Sequence, residues 1–441
     1  DERLVLSRPV DPQLLDGARD LMLAWREFHP QDPDVAIEAE VDSTARLAGA
    51  TPLPADPATP PLEPPPATST FLAPSPTPTR LSAAAPTLTY ISSTGDTLDA
   101  IAARFGVNPQ DIGRPLGFRN TTTLDPGQRL SVPNVLDPAV LGPAEKLVPD
   151  SEVVFSAAAA GFDPAAFARE QGGYLAQYRG FADGLTRSGG DVVLTVARQH
   201  SINPRLLLTL LEQLGGWVTD PAPQGAALSR PLGYAHPYRD DLTPQLSWAA
   251  DQLAIGYYGW RAGALTELTF PDGGRVRLHP GLNAGTVAVQ FFFAQLYSRP
   301  QWDEALGGFA SAAARLFGDP FARELPTLLP GDLAQPPLAL PFQRGTTWYF
   351  SGGPHGAWEV GGAQAALDFA PASIESGCAT SGAWVTAAAA GQVVRSERNA
   401  VVVDLDGDGR ETTGWALFYF HLAEQDRISA GVFVEQGDRL G

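Results

Sequence analysis

Three side chains near the end of this 441-residue chain are of the types that metal-assisted hydrolysis uses. His355 follows a Gly-Gly-Pro turn, and Asp368 lies thirteen positions on, inside the alternating run Ala366-Leu367-Asp368-Phe369. His421 ends the aromatic run Phe418-Tyr419-Phe420. Imidazole and carboxylate are zinc-type ligands, and a catalytic zinc takes three protein ligands plus a water. His355 and Asp368 supply two; a third is not visible. Zinc polarises a scissile carbonyl and lowers the pKa of its bound water toward about 7. A second histidine beside it would hydrogen-bond the water or the oxyanion and move a proton.

Two other carboxylate sets allow different chemistry. Glu212 follows Leu206, Leu207, Leu210 and Leu211 and precedes Leu214. Glycoside cleavage needs a carboxyl whose pKa is raised by apolar burial. A glutamate at a helix end also reads as a structural or solvated group, and no second carboxylate accompanies this one. Asp404, Asp406, Asp408 and Gly409 match the first half of an EF-hand loop, but Trp415 stands where the bidentate Glu belongs. A complete EF-hand is excluded; a weak Ca2+ site and an Asp/Gly-rich hairpin turn both stay open. His200, His236 and His279 share no ligand spacing and read as packing or surface residues.

The elements that must position these groups fall into a series of domains. Residues 1–48 hold one helix, with Asp11 as N-cap, Pro12 in the first turn and Leu14, Leu15, Leu21, Leu23 and Trp25 as its apolar contacts. Residues 49–86 are a Pro/Thr-rich linker, too dense in proline for helix or sheet and so extended. In residues 87–135 a strand meets the turn Thr94-Gly95-Asp96. A helix then begins, capped by Thr97 or Asp96, with Leu98, Ile101, Ala102 and Phe105 on one face. Gly106 ends it, Asn108-Pro109 starts another, and a second strand closes the module.

Residues 150–328 are mainly helical. Two helices are separated by Asn203-Pro204, two more lie further on, and a hairpin turns at Asp272-Gly273-Gly274. Residues 329–343 are Pro-rich, and residues 344–441 alternate as strands. The predicted fold class is therefore multidomain α+β.

The net charge of −19 argues against nucleic acid as a partner, and no run approaches the roughly 18 to 20 apolar residues of a membrane span. The one cysteine, Cys378, makes no disulfide framework by itself.

Three stretches resemble known families. "GDTLDAIAARFGV" with "LDPGQRLSVP" resembles a LysM domain, a βααβ module. That resemblance implies binding of N-acetylglucosamine-containing glycans along the loops after Gly95 and before Leu124, with Gly95, Asp96 and Thr97 as glycan-binding residues. "INPRLLLTLLEQLGGWVT" is similar to the start of lysozyme-like transglycosylase domains, which places Glu212 at the acid position.

"SGGPHG" through "AALDFAP", then "WVTAAAAGQVV", "LFYFHLA" and "VFVEQGDRLG", resemble the LytM/LasA-type (M23) zinc peptidases, an antiparallel-β family. The family implies Zn2+ on His355 and Asp368, His421 as a catalytic residue, and a closing His-x-His motif that would begin beyond Gly441. The third ligand is expected there, with weak zinc binding and little hydrolysis by residues 1–441 alone. Because the chain starts at Asp1 rather than Met, the expectation is that either a leader or anchor was removed or the sequence was trimmed at both ends.

Together the resemblances imply an extracytoplasmic bacterial peptidoglycan hydrolase, secreted or surface-attached, that cuts peptide cross-links. The alternatives are a non-catalytic LytM-type scaffold or amidase activator, and a lytic transglycosylase using Glu212.

Overall fold

The computed structural model describes residues 86–93, 95–115, 123–236, 238–325, 335–356, 361–372, 380–397 and 399–441. The helix expected in residues 1–48, nearly all of the linker 49–86, and Cys378 lie outside them. The chain divides into two units. The smaller includes residues 342–352 and 367–383; the larger includes residues 77–341, 353–366 and 384–441.

In the larger unit the first module pairs β1 (Thr87–Ile91) antiparallel with β2 (Arg129–Pro133). Between them α1 (Leu98–Phe105) starts where the Thr97 hydroxyl accepts the Ala100 N–H at 3.1 Å. It stops at Gly106, whose left-handed backbone (φ 68°) suits a residue without Cβ. Ile101, Ala102 and Phe105 bury against Leu130 and Val132. The second helix expected after Asn108 is a single 3₁₀ turn, Pro109–Asp111, among the described residues.

The helical region that follows contains α2 (Pro164–Gln171), the one-turn α3 (Tyr174–Gln177) and the hairpin of β3 (Arg179–Ala182) with β4 (Leu185–Ser188). It continues through α4 (Gly189–Gln199), α5 (Pro204–Gly215) and α6 (Leu242–Arg261). The hairpin of β5 (Glu267–Thr269) with β6 (Arg275–Arg277) leads to α7 (Ala284–Ala294) and α8 (Arg299–Phe317).

Asn203 caps α5 onto Arg205 N, and Pro204 supplies the pre-set φ of a first turn. α5 is apolar nearly all round, and Leu206, Leu207, Leu208, Leu210 and Leu211 are each at most 3% exposed. Such a helix belongs in the middle of a core. α6 and α7 approach closely at Gly256, where an added Cβ would come within 2.8 Å of the Ala288 Cα.

The last part of the larger unit is a four-stranded antiparallel sheet in the order β11-β10-β9-β12. Its strands are β9 (Gly391–Glu397), β10 (Ala400–Asp404), β11 (Ala416–Phe420) and β12 (Phe433–Val434). One face packs Val393, Val401, Val403 and Tyr419 into a core with Leu422 and Leu440. β10 and β11 pair from Ala400↔Phe420 to Asp404↔Ala416, so the Asp/Gly-rich stretch between them closes a hairpin. A separate two-stranded sheet joins β7 (Trp348–His355) to β8 (Ala366–Pro371).

Candidate functional site

His355 is the last residue of β7 and is half-buried. Its Nδ1 lies 2.7 Å from the carbonyl oxygen of Gly356. A carbonyl only accepts, so the proton sits on Nδ1 and the lone pair on Nε2. Metal-bound histidines are held in the same way, by a backbone carbonyl on the other ring nitrogen. Asp368 is the third residue of β8 and exposed, on the strand that pairs with β7.

His421 follows β11 directly, exposed, with a left-handed φ of 64°. Its ring centroid lies 4.1 Å from that of Phe420, and the next residue is fixed by Leu422 N–H donating to Asn399 O at 2.9 Å. A residue with a Cβ loses about 1 kcal/mol or more in this conformation, so the strand exit, rather than local preference, sets where the imidazole stands.

Among the described residues, one group of three or more His, Cys, Asp or Glu side chains has ligand atoms close enough to share an ion: Asp404, Asp406 and Asp408, within 4.8 Å of one another. Asp404 is fully buried at the end of β10. Its Oδ2 accepts Gly409 N–H at 2.8 Å, and its Oδ1 accepts Asp406 N–H at 3.2 Å. Asp408 accepts from Arg410 N–H and the Thr413 hydroxyl. A hydrogen bond with Asp404, and then burial, hold the Asp406 carboxyl above the ordinary carboxylate value. This is hydrogen bonding of the kind that closes an Asp/Gly turn.

Glu212, 7% exposed, has both carboxylate oxygens engaged. Oε2 accepts Thr219 N–H at 3.0 Å; Oε1 accepts the Thr219 hydroxyl at 2.6 Å and Arg315 Nη2 at 2.9 Å. Both oxygens are thus already taken up by donors of the fold itself. The carboxylate ties the end of α5 to the loop after it and to α8. Of the other histidines, His279 accepts Gly281 N–H and is held below its usual pKa by burial. His236 stacks on Tyr234, and His200 caps the end of α4.

The stretch Gly95-Asp96-Thr97 faces the helical region. Asp96 is 5% exposed and accepts from Arg104 Nη1 at 2.9 Å, Tyr90 Oη at 2.8 Å and Ser93 N–H at 2.8 Å. Thr97 is the N-cap of α1. Gly95 (φ 80°) abuts Arg261, whose Nη2 would lie 2.0 Å from an added Cβ.

Sequence reading missed the residues that complete this junction. Arg104 donates through Nε to Trp260 O at 3.1 Å and through Nη2 to Arg261 O at 3.2 Å, and its guanidinium sits 5.0 Å from the Trp260 ring. Arg277 Nη2 donates to the α1 carbonyls of Ala103 and Arg104 at 2.8 and 3.0 Å. The available signal was an arginine adjoining the apolar face of α1, next to Phe105.

The first module matches the LysM domain model over residues 93–133. Residues 146–329 match the model of the LasA N-terminal domain. The second match falls on the region that resembles lysozyme-like transglycosylases, and it lends that resemblance no support. Neither a curated protein nor a solved structure matches the chain. A LysM domain is a module for peptidoglycan- and chitin-type glycans, and its pairing with a LasA-like domain points to a cell-wall-related peptidase family. Among the described residues no helix is long and apolar enough to cross a membrane.

Proposed function

We propose that the chain is an extracytoplasmic peptidoglycan hydrolase, held on glycan by its LysM domain, whose terminal β-rich segment cuts peptide cross-links. His355 through Nε2 and Asp368 through its carboxylate would hold Zn2+, with a third ligand outside the described residues. Bound zinc supplies Lewis acidity toward the scissile carbonyl and a water acidic enough to react near neutral pH. His421, exposed at the exit of β11, takes up a proton and delivers it to the leaving amine.

The observation that supports this reading is the hydrogen bond from Nδ1 of His355 to Gly356 O, the kind of carbonyl support that orients a metal-bound histidine. Glu212 is read as an anchor of the fold, and Asp404, Asp406 and Asp408 as a turn whose oxygens would also accept Ca2+. The test is a His355→Ala substitution, followed by zinc content and by release of new peptide amino groups from purified peptidoglycan. Loss of both is expected. Unchanged release from the variant would remove the metal reading.

A second reading, a wall-binding scaffold without catalysis, is favoured by one fact. Neither His355, Asp368 nor His421 joins a group of three metal-ligating side chains among the described residues. Wall binding with no released fragment, at full zinc occupancy, would establish it.

A further inference from the structure

The larger unit contains a shallow crevice, open to solvent, between the helical region and the outer face of the four-stranded sheet. Strand register builds the sheet side. Phe420 lies opposite Ala400 and Phe418 opposite Val402, while Glu397 and Arg395 lie opposite the same two residues from β9. Residues of one strand alternate between faces, so these four side chains share the face that looks away from the Val401–Val403 core. Phe418 and Phe420 stack at 5.6 Å and 22°, with Phe418 41% exposed. A stacked pair of rings with one open edge makes an apolar floor.

The helical side contributes Arg187 from β4 and Arg198 from the last turn of α4. Arg395 is well engaged, 2.9 Å from Glu411 through Nε. The other two guanidiniums are not. Arg198 lies 3.7 Å from Glu397 and 3.8 Å from Glu411, beyond hydrogen-bond length. Arg187 reaches Asp183 only at 3.5 Å, and its Nε is buried with no hydrogen-bond partner. A buried donor left unpaired costs about 1–3 kcal/mol. A carboxylate is the acceptor that fits a guanidinium fork.

The acids in the lining decide what kind of anion fits. Asp183, Asp191 and Glu397 stand among these arginines, and the chain carries a net charge of −19, so a polyanion would be repelled. A ligand with one carboxylate and neighbouring N–H donors satisfies both signs.

We propose that this crevice binds the free α-carboxylate end of a short peptide, with the carboxylate on Arg198 and Arg187 and the adjoining small apolar side chain on Phe418 and Phe420. The site deepens the peptidoglycan reading, resting on it only for the source of such peptide ends. It makes the helical region one wall of a peptide-selecting cleft.

The test is calorimetric titration of the metal-free full chain with N-acetyl-alanyl-alanine and, separately, with its C-terminal amide. The acid is expected to bind at least about tenfold more tightly than the amide. Arg198→Ala and Arg198→Gln should each reduce acid affinity about tenfold and leave amide affinity unchanged. Phe418→Ala should weaken both, and Arg275→Ala, at an exposed arginine outside the crevice lining, should change neither. Equal binding of acid and amide, no binding of the acid, or an Arg198→Ala variant that binds the acid like the parent would overturn the proposal. Acid binding in a chain that releases no wall fragments would sink the hydrolase reading and leave the crevice standing. Hydrolysis without acid binding would do the reverse.

Discussion

Two regions of the molecule use the same kinds of side chain in opposite ways. At the junction of the LysM module with α6, Asp96 and Arg104 are 5% and 4% exposed, and their oxygens and nitrogens find partners on three elements. Glu212 is treated likewise by Thr219 and Arg315. In the terminal segment, Asp368 is exposed within β8 and His421 exposed just past β11, and His355 is half-buried with one ring nitrogen committed to a carbonyl. Burial and full pairing lock a charge into a structural role, because the paired form is the one the fold has stabilised. Chemistry needs the converse, a rigid backbone beneath a group that can still exchange its partner. By that criterion Asp96 and Glu212 work for the fold, and the terminal set is the one suited to a ligand.

Four outcomes would break or sharpen this contrast. His421→Ala should lower peptide release by about a hundredfold or more, while unfolding stability moves by no more than about 1 kcal/mol. Denaturant titration alongside wall digestion checks both halves, and a large stability loss would put His421 in the structural class.

Arg104→Ala should do the opposite. Stranding buried Asp96 should cost about 3–5 kcal/mol. It should also release the LysM module to limited proteolysis and leave the terminal site's metal content unchanged.

Glu212→Gln keeps the shape and removes the charge. Because Arg315 is 57% exposed, solvent already screens that pair, so the loss should be about 1–2 kcal/mol. Sugar-end release should not change. A Glu212→Gln variant of full stability that lost glycan cleavage would restore the transglycosylase alternative.

The smallest effect concerns Tyr419, which burial pushes up to about 12 although the Ala388 N–H on its oxygen acts the other way. The phenol of the unfolded chain ionises near 10, so the folded state resists ionisation. The sheet should therefore keep its stability below pH 10 and lose it progressively as pH rises from 10 to about 12. Tyrosinate absorbance should follow that loss, and Tyr419→Phe should make the alkaline step smaller, since burial also raises Tyr90, Tyr178 and Tyr257.

What the sequence made legible was mostly local. Thr97 and Gly106 bound α1, Asn203-Pro204 opens α5, and Asp272-Gly273-Gly274 closes β5 onto β6, because caps and turns are written in neighbouring residues. α8 went unread although Ser298 and Gln301 form a capping box, since Gly307-Gly308 interrupts its pattern. In the fold the second glycine admits α5, with Gln213 Nε2 2.8 Å from where a Cβ would stand. The distinction between binding and structural acids was not legible at all. Asp96 in a turn and Glu212 after leucines look the same whether or not an arginine reaches them, and Arg315 is 103 residues from Glu212. Arg104 likewise meets Trp260 across 156 residues. The terminal set was legible as residue types and strand positions; the carbonyl that fixes the His355 tautomer was not.

The most direct measurement is mass spectrometry of the fragments released from purified peptidoglycan by the full-length protein, with and without a zinc chelator. New peptide amino termini that vanish with chelator are expected, with sugar ends unchanged. Chelator-resistant release of new sugar ends would contradict the account and move catalysis into the helical region.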